Sequence, residues 1–232
     1  MIHTAKRLAK FAEAIFCAAG SSGKEASSIA YNLVEANLTG HDSHGIGMVP
    51  SYVERVLRGA INVNQHATVI QQGGPILQID GNLGYGQVIA DETLDIGLEK
   101  ARETGAAIIA LRNSHHLGRI GAWGEKCADS GFVSIHFVNA IGLRPQVAPY
   151  GGVEGRYSTN PYCVSIPCTD NQPRIVLDMA TSKVAMGKVR VARNKGERVA
   201  DGILFDPSGK PTNDPDVMFG VPRGALVPFG GH

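Results

Sequence analysis

The sequence predicts an α/β protein in two parts: a helical N-terminal domain over residues 1–70 and a mixed α/β domain over residues 71–232. Three observations carry that expectation. Apolar residues in the first sixty positions recur at the three–four spacing of amphipathic helices. From about Val69, short apolar runs alternate with helical stretches. No GxGxxG follows a strand and there is no P-loop, so the sequence does not support a Rossmann or Walker nucleotide site.

Taken in order, Leu8, Phe11, Ala12 and Ile15 define the first helix, which Gly20 should end. The second runs from about Lys24 to Leu38, with Ala30, Leu33, Val34 and Ala36 available for packing, and stops at Gly40. SYVERVLRGA gives a third, closed by Gly59. ILQIDG reads as a short strand, and VIADETLDIGLEKARETG as a helix with acidic residues early and basic ones late, as its dipole prefers. AAIIAL is a strand, RNSHHLGRIG a polar insertion, AWGEKCADSG a helix, and FVSIHFVNA, YCVSIP and RIVLDMA are strands. VAMGKVRVARNKG is the last helix, and a turn-rich tail follows.

A chain of 232 residues with 43% hydrophobic and 19% charged residues has the composition of a globular protein with a real core. Its net charge of +1 gives no basis for nucleic acid or an anionic membrane as partner. No apolar run approaches the roughly 20 residues of a membrane span. The N-terminus has basic then apolar residues, as a signal peptide would, but Lys10 and Glu13 interrupt it, so it reads as a surface helix of a cytoplasmic protein. Cys17, Cys127, Cys163 and Cys168 form no CxxC pair, which fits a reducing compartment.

The stretch GHDSHGIGM, residues 40–48, concentrates a carboxylate, a hydroxyl and two imidazoles. Asp42, Ser43 and His44 are the ingredients of acid–base chemistry near neutral pH. Capping of the next helix by Asp42 or Ser43 would explain one of these residues, not the cluster. SHHLGRIG, residues 114–121, leads into a helix, where glycine and a helix N-terminus can hold an anion. His115 and His116 are adjacent, so at most one faces a given site. Asp178 follows the apolar Ile175, Val176 and Leu177, and a partly buried carboxylate there needs a partner, of which histidine is the obvious one. Metal binding by His41, Asp42 and His44 with His115 or His116 is chemically possible, but the spacing matches no common zinc pattern and no metal is expected.

GHDSHGIGMVPSYVERV, NSHHLGRIGAW, VAPYGG, STNP and LDMATSKVAMGKV occur in the order seen in the malate/L-lactate dehydrogenase-like oxidoreductases, which this chain resembles over essentially its whole length. That family uses NAD or NADP on a fold unrelated to Rossmann. The resemblance implies a nicotinamide-binding domain with a mixed, largely antiparallel sheet, a homodimer, and hydride transfer between NAD(P)H and a 2-oxo acid. By the same resemblance, His44 is the proton donor and acceptor beside Ser43, and Asp178 completes the relay. His116 is a competing catalytic base or a contact on the nicotinamide side. Asp178, Met179 and Ala180, with Thr159 and Asn160, match cofactor-contacting positions, and Asn139 matches a pocket position.

Two departures stand out. Many members carry an arginine four residues after the central histidine, where this chain has Met48, so Arg119 or Arg144 would have to meet the substrate carboxylate. Family chains also continue past the position of His232, with a Lys-Gly-Tyr-Gly motif. The sequence therefore reads as an incomplete member, with a truncated, inactive remnant as the alternative. A metal-dependent hydrolase is a third reading.

Overall fold

The computed structural model describes residues 3–141 and 144–231, and two compact units divide at Gly131 and Phe132. The expected helical layer, residues 1–70, lies within the first unit, Met1–Gly131, together with a sheet and two further helices.

In the first unit α1 (Ala5–Ala18) packs on α2 (Gly23–Leu38), and α3 (Val49–Leu57) follows after two short 3₁₀ turns. Thr4 and Ser22 cap α1 and α2 by accepting the backbone N–H groups of Arg7 and Glu25. The buried stripe of α1 centres on Ala12 and Phe16, and Phe11, expected inside, is 64% exposed. Phe16, Ile29, Leu33, Val49, Tyr52 and Tyr85 form the core against which Ile46 and Met48 pack. Burying such side chains stabilises the unit by about 1.5–3 kcal/mol each. The strands β1 (Thr68–Gly73) and β2 (Ile76–Asp80) pair antiparallel, and β3 (Ile108–Arg112) joins β2 in parallel across α4 (Gly86–Thr104). Parallel strands need such a crossover. α5 (Ile120–Asp129) packs on α4.

The second unit, Phe132–His232, holds the antiparallel sheet of β4 (Ser134–Phe137), β5 (Tyr162–Ile166) and β6 (Ile175–Met179). It also holds α6 (Met186–Lys195) and a smaller antiparallel sheet of β7 (Leu204–Phe205), β8 (Pro211–Thr212) and β9 (Ala225–Leu226). Val147, Val189, Leu204, Met218 and Leu226 form its core. The expected α/β class and the largely antiparallel pairing both hold, but the pairing is spread over three small sheets among the described residues. The tail, expected to lack periodic structure, supplies the three short strands of the last one.

Among the described residues no helix is long and apolar enough to cross a membrane. Cys17 and Cys168 are exposed free thiols, and Cys127 and Cys163 are buried ones.

Candidate active site

The first unit brings the GHDSHG loop and the SHHLG loop together. The rings of His44 and His116 stack, with centroids 5.3 Å apart and planes 14° from parallel. Ser43 Oγ lies 2.9 Å from His44 Nδ1. The loop is held from α2: the Asn37 side chain donates to Asp42 and accepts the backbone N–H of Ile46 at 2.7 Å. Gly45 lies so close to Asn37 that a Cβ there would sit 2.2 Å from its Oδ1. Neither Asp42 nor Ser43 caps α3, whose N-cap position is Met48, so the capping explanation of the cluster fails. The polar side chains instead face Asn37 and His44.

The SHHLG loop runs across the start of α4. A Cβ on Gly86 would meet the carbonyl oxygens of His116 and His115 at 2.2 and 2.4 Å, so glycine is required for this approach. Behind the histidines lie residues that the sequence reading missed. Tyr52 Oη, fully buried, is 2.6 Å from His116 Nδ1 and accepts from Gln87 Nε2 at 2.8 Å. Arg55 Nη1 is 3.0 Å from His115 Nε2, which must accept because a guanidinium only donates. Tyr52 and Arg55 are three apart on α3 and share a face, the one signal that could have found them.

Electrostatics separate the histidines. Burial, reinforced by the neighbouring His44, His115 and Arg55, pushes the pKa of His116 down to about 3. Burial and Arg55 bring His115 to about 4. Both are neutral at physiological pH. Burial also raises the Tyr52 phenol well above its ordinary value, so it keeps its proton. Arg119 does not approach this group of side chains as a carboxylate binder would: its guanidinium forks onto Glu125 at 3.0 and 2.6 Å. Met48 is half-buried against the core, and Asn139 and Arg144 are exposed in the segment that follows β4.

The second unit gathers the other predicted residues. Thr181 Oγ1 donates to the carbonyl oxygens of Asn160 and Thr159 at 2.9 and 3.2 Å, tying the STNP turn to the segment after β6. Asn160, at φ 22°, accepts the Ala140 N–H at 3.0 Å. Ser158, Asn160 and Thr181 line a cleft of about 520 Å³ together with Tyr150 and Tyr157. Its aromatic and aliphatic lining with a few amide and hydroxyl groups fits a flat, uncharged heteroaromatic ring of a dinucleotide. No lysine or arginine lines it to meet a pyrophosphate. Met179 and Ala180 lie half-buried beside it in sequence. Asp178 stands opposite Cys163, which stands opposite His136, so all three share one face of the sheet. Burial lowers the pKa of His136, and the Asp178 charge opposes that shift. Among the described residues no group of histidine, cysteine, aspartate or glutamate side chains is placed to hold a metal.

Comparison with known proteins adds to this geometry. The family described as malate/L-lactate dehydrogenase matches residues 3–232. Hydroxycarboxylate dehydrogenase B of Escherichia coli K12 is 49% identical over 228 residues, covering 98% of this chain and 63% of that protein. L-lactate dehydrogenase of Cupriavidus necator is 40% identical over 207 residues, covering 89% of this chain and 59% of the relative. Among solved structures, the delta1-piperideine-2-carboxylate reductase of Pseudomonas syringae superposes with a TM-score of 0.89 at 31% identity, over 100% of this chain and 68% of that one. The chain thus spans under two thirds of the length of the two curated relatives.

Proposed function

The chain belongs to the malate/L-lactate dehydrogenase family, and from that premise we propose that it serves reversible hydride transfer between NAD(P)H and a 2-oxo acid, giving a 2-hydroxy acid. The observation that carries this reading is the Ser43–His44 pair stacked on a neutral His116. When bound, the nicotinamide supplies the hydride chemistry. Thr159, Asn160 and the Asp178–Met179–Ala180 run would hold the cofactor in the second unit, and Asn139 would contact the substrate. Asp178 is the acid of the relay, and within its own sheet its charge acts on His136.

His44 gives its proton to the carbonyl oxygen of the 2-oxo acid and takes it back in the reverse direction. Ser43 suits that exchange because a hydroxyl can donate to neutral Nδ1 or accept from protonated Nδ1–H, so both states of His44 keep their partner. Arg55 sets a fixed positive charge beside the histidines and offers the substrate carboxylate a counter-charge. Met48 shapes the wall of the loop. Arg144 is a further contact to the substrate, and His116 is the second histidine of the site. The family reading also carries a homodimer and a cytoplasmic setting, with NAD or NADP as cofactor.

The test is oxidation of NADH and of NADPH by the purified chain across a panel of 2-oxo acids. Substrate-dependent oxidation with at least one pair supports the reading. A folded protein that binds neither cofactor refutes it.

A further inference from the structure

The hydrogen-bond chain Gln87–Tyr52–His116 has a direction, and that direction decides what His116 can do. Gln87 Nε2 donates to Tyr52 Oη at 2.8 Å, and Tyr52 Oη is 2.6 Å from His116 Nδ1. With the amide N–H already on its oxygen, the buried phenol has its own hydrogen to place, and His116 Nδ1 is the acceptor within reach. A nitrogen that accepts carries no hydrogen, so the hydrogen of a neutral ring sits on Nε2. Gln87 is 1% exposed and its Oε1 has no hydrogen-bond partner, so a rotation of the amide would reverse the whole chain. His44, by contrast, faces a serine hydroxyl that turns to suit either protonation state.

We propose that Gln87 and Tyr52 are positioning residues that hold His116 as the neutral Nε2–H tautomer, a hydrogen-bond donor to the substrate oxygen, while His44 alone moves the proton. The substrate part of this statement rests on the function proposed above. The tautomer part does not. The assignment separates two histidines that resemblance alone leaves as competitors for one role. It also explains why a dehydrogenase site would enclose one imidazole behind a tyrosine and leave the other half-buried beside a serine. The charged and titratable groups around His116 are His44, His115, Arg55 and Tyr52, and none of them favours a second positive charge.

The test is a long-range ¹H–¹⁵N correlation spectrum of the intact chain labelled at histidine, with His116→Gln identifying the His116 signals. The expected result is an unprotonated Nδ1 and a protonated Nε2, unchanged between about pH 5 and 8. An Nδ1–H tautomer, or protonation within that range, overturns the proposal. Gln87→Glu presents an acceptor to Tyr52 when ionised, and is expected to move the His116 hydrogen to Nδ1. Retention of the Nε2–H form with an ionised Glu would count against the chain's control of the tautomer. Should that variant not fold, Tyr52→Phe provides the second arm, with loss of the single-tautomer pattern and a fall in kcat on the order of 10²-fold at unchanged cofactor affinity. The expected tautomer in a protein with no NAD(P)H-dependent turnover would sustain the clamp and refute the reaction. Turnover with the reversed tautomer would refute the clamp alone.

Discussion

His44 and His116 lie face to face, 5.3 Å between ring centroids, His116 braced by Tyr52 from 64 residues away in the chain and the His44 loop by Asn37 of the preceding helix. Two imidazolium charges at that separation repel, so protonation of one disfavours protonation of the other. Burial decides which stays neutral. His116 is pushed to about 3, so it stays neutral.

The loop that holds His44 depends on Asn37. Asn37→Ala removes both the acceptor for Ile46 N–H and the donor to Asp42. It is expected to destabilise the fold by about 1–3 kcal/mol and to lower kcat more than cofactor affinity. Gly45→Ala should do the same by collision with the Asn37 side chain. Urea unfolding with matched kinetics would check both. Wild-type stability in either variant would show that Asn37 does not brace the loop.

Acid stability follows from the two suppressed histidines. In the unfolded chain His115 and His116 take up protons near their ordinary value of 6.5, whereas in the fold they do so only at about 4 and 3. The unfolded state therefore binds more protons between those values, and stability falls as the pH drops through that window. Above about pH 6.5 the contribution is fully present. Each histidine contributes a slope of at most about 1.4 kcal/mol per pH unit. Chemical denaturation from pH 7 to 4 should show a shallower slope in His116→Gln than in the wild type, and equal slopes would contradict the burial argument.

Asp178→Asn removes the charge that opposes the burial effect on His136. The pKa of His136 should therefore fall further. An NMR titration of His136 that shows a rise, or no change, would mean that Asp178 acts elsewhere.

Asn160 links the STNP turn to Ala140, and its neighbour Thr159 is tied to Thr181. Asn160→Ala should weaken NADH or NADPH binding by about tenfold, corresponding to the roughly 1.4 kcal/mol of a lost polar contact. Fluorescence titration of the reduced cofactor would measure this. Unchanged affinity would remove this cleft from the cofactor site.

The helices were legible in the sequence because their apolar residues repeat at a period that only a helix satisfies. The spacing alone does not choose the buried face of α1: it points to Phe11, and contact with Tyr52 and Tyr85 selects Phe16. β1 gave no signal, since all six of its residues are exposed and only pairing with β2 makes them a strand. Ser43, His44 and His116 stood out as dense polar motifs. Tyr52, Gln87 and Arg55 did not, because what they do arises from contacts 64, 35 and 60 residues apart. The charge of Arg119 makes it a candidate for the substrate carboxylate in sequence, but its guanidinium pairs locally with Glu125. Sequence shows which side chains are present, and tertiary distance determines which are available.

The central claim is that His44 moves the proton, and the most direct measurement compares His44→Ala with the wild type for both turnover and cofactor affinity. The account predicts a loss of kcat on the order of 10²–10⁴-fold, with NAD(P)H binding nearly unchanged. An equal loss of turnover and affinity, or retained turnover, would contradict it.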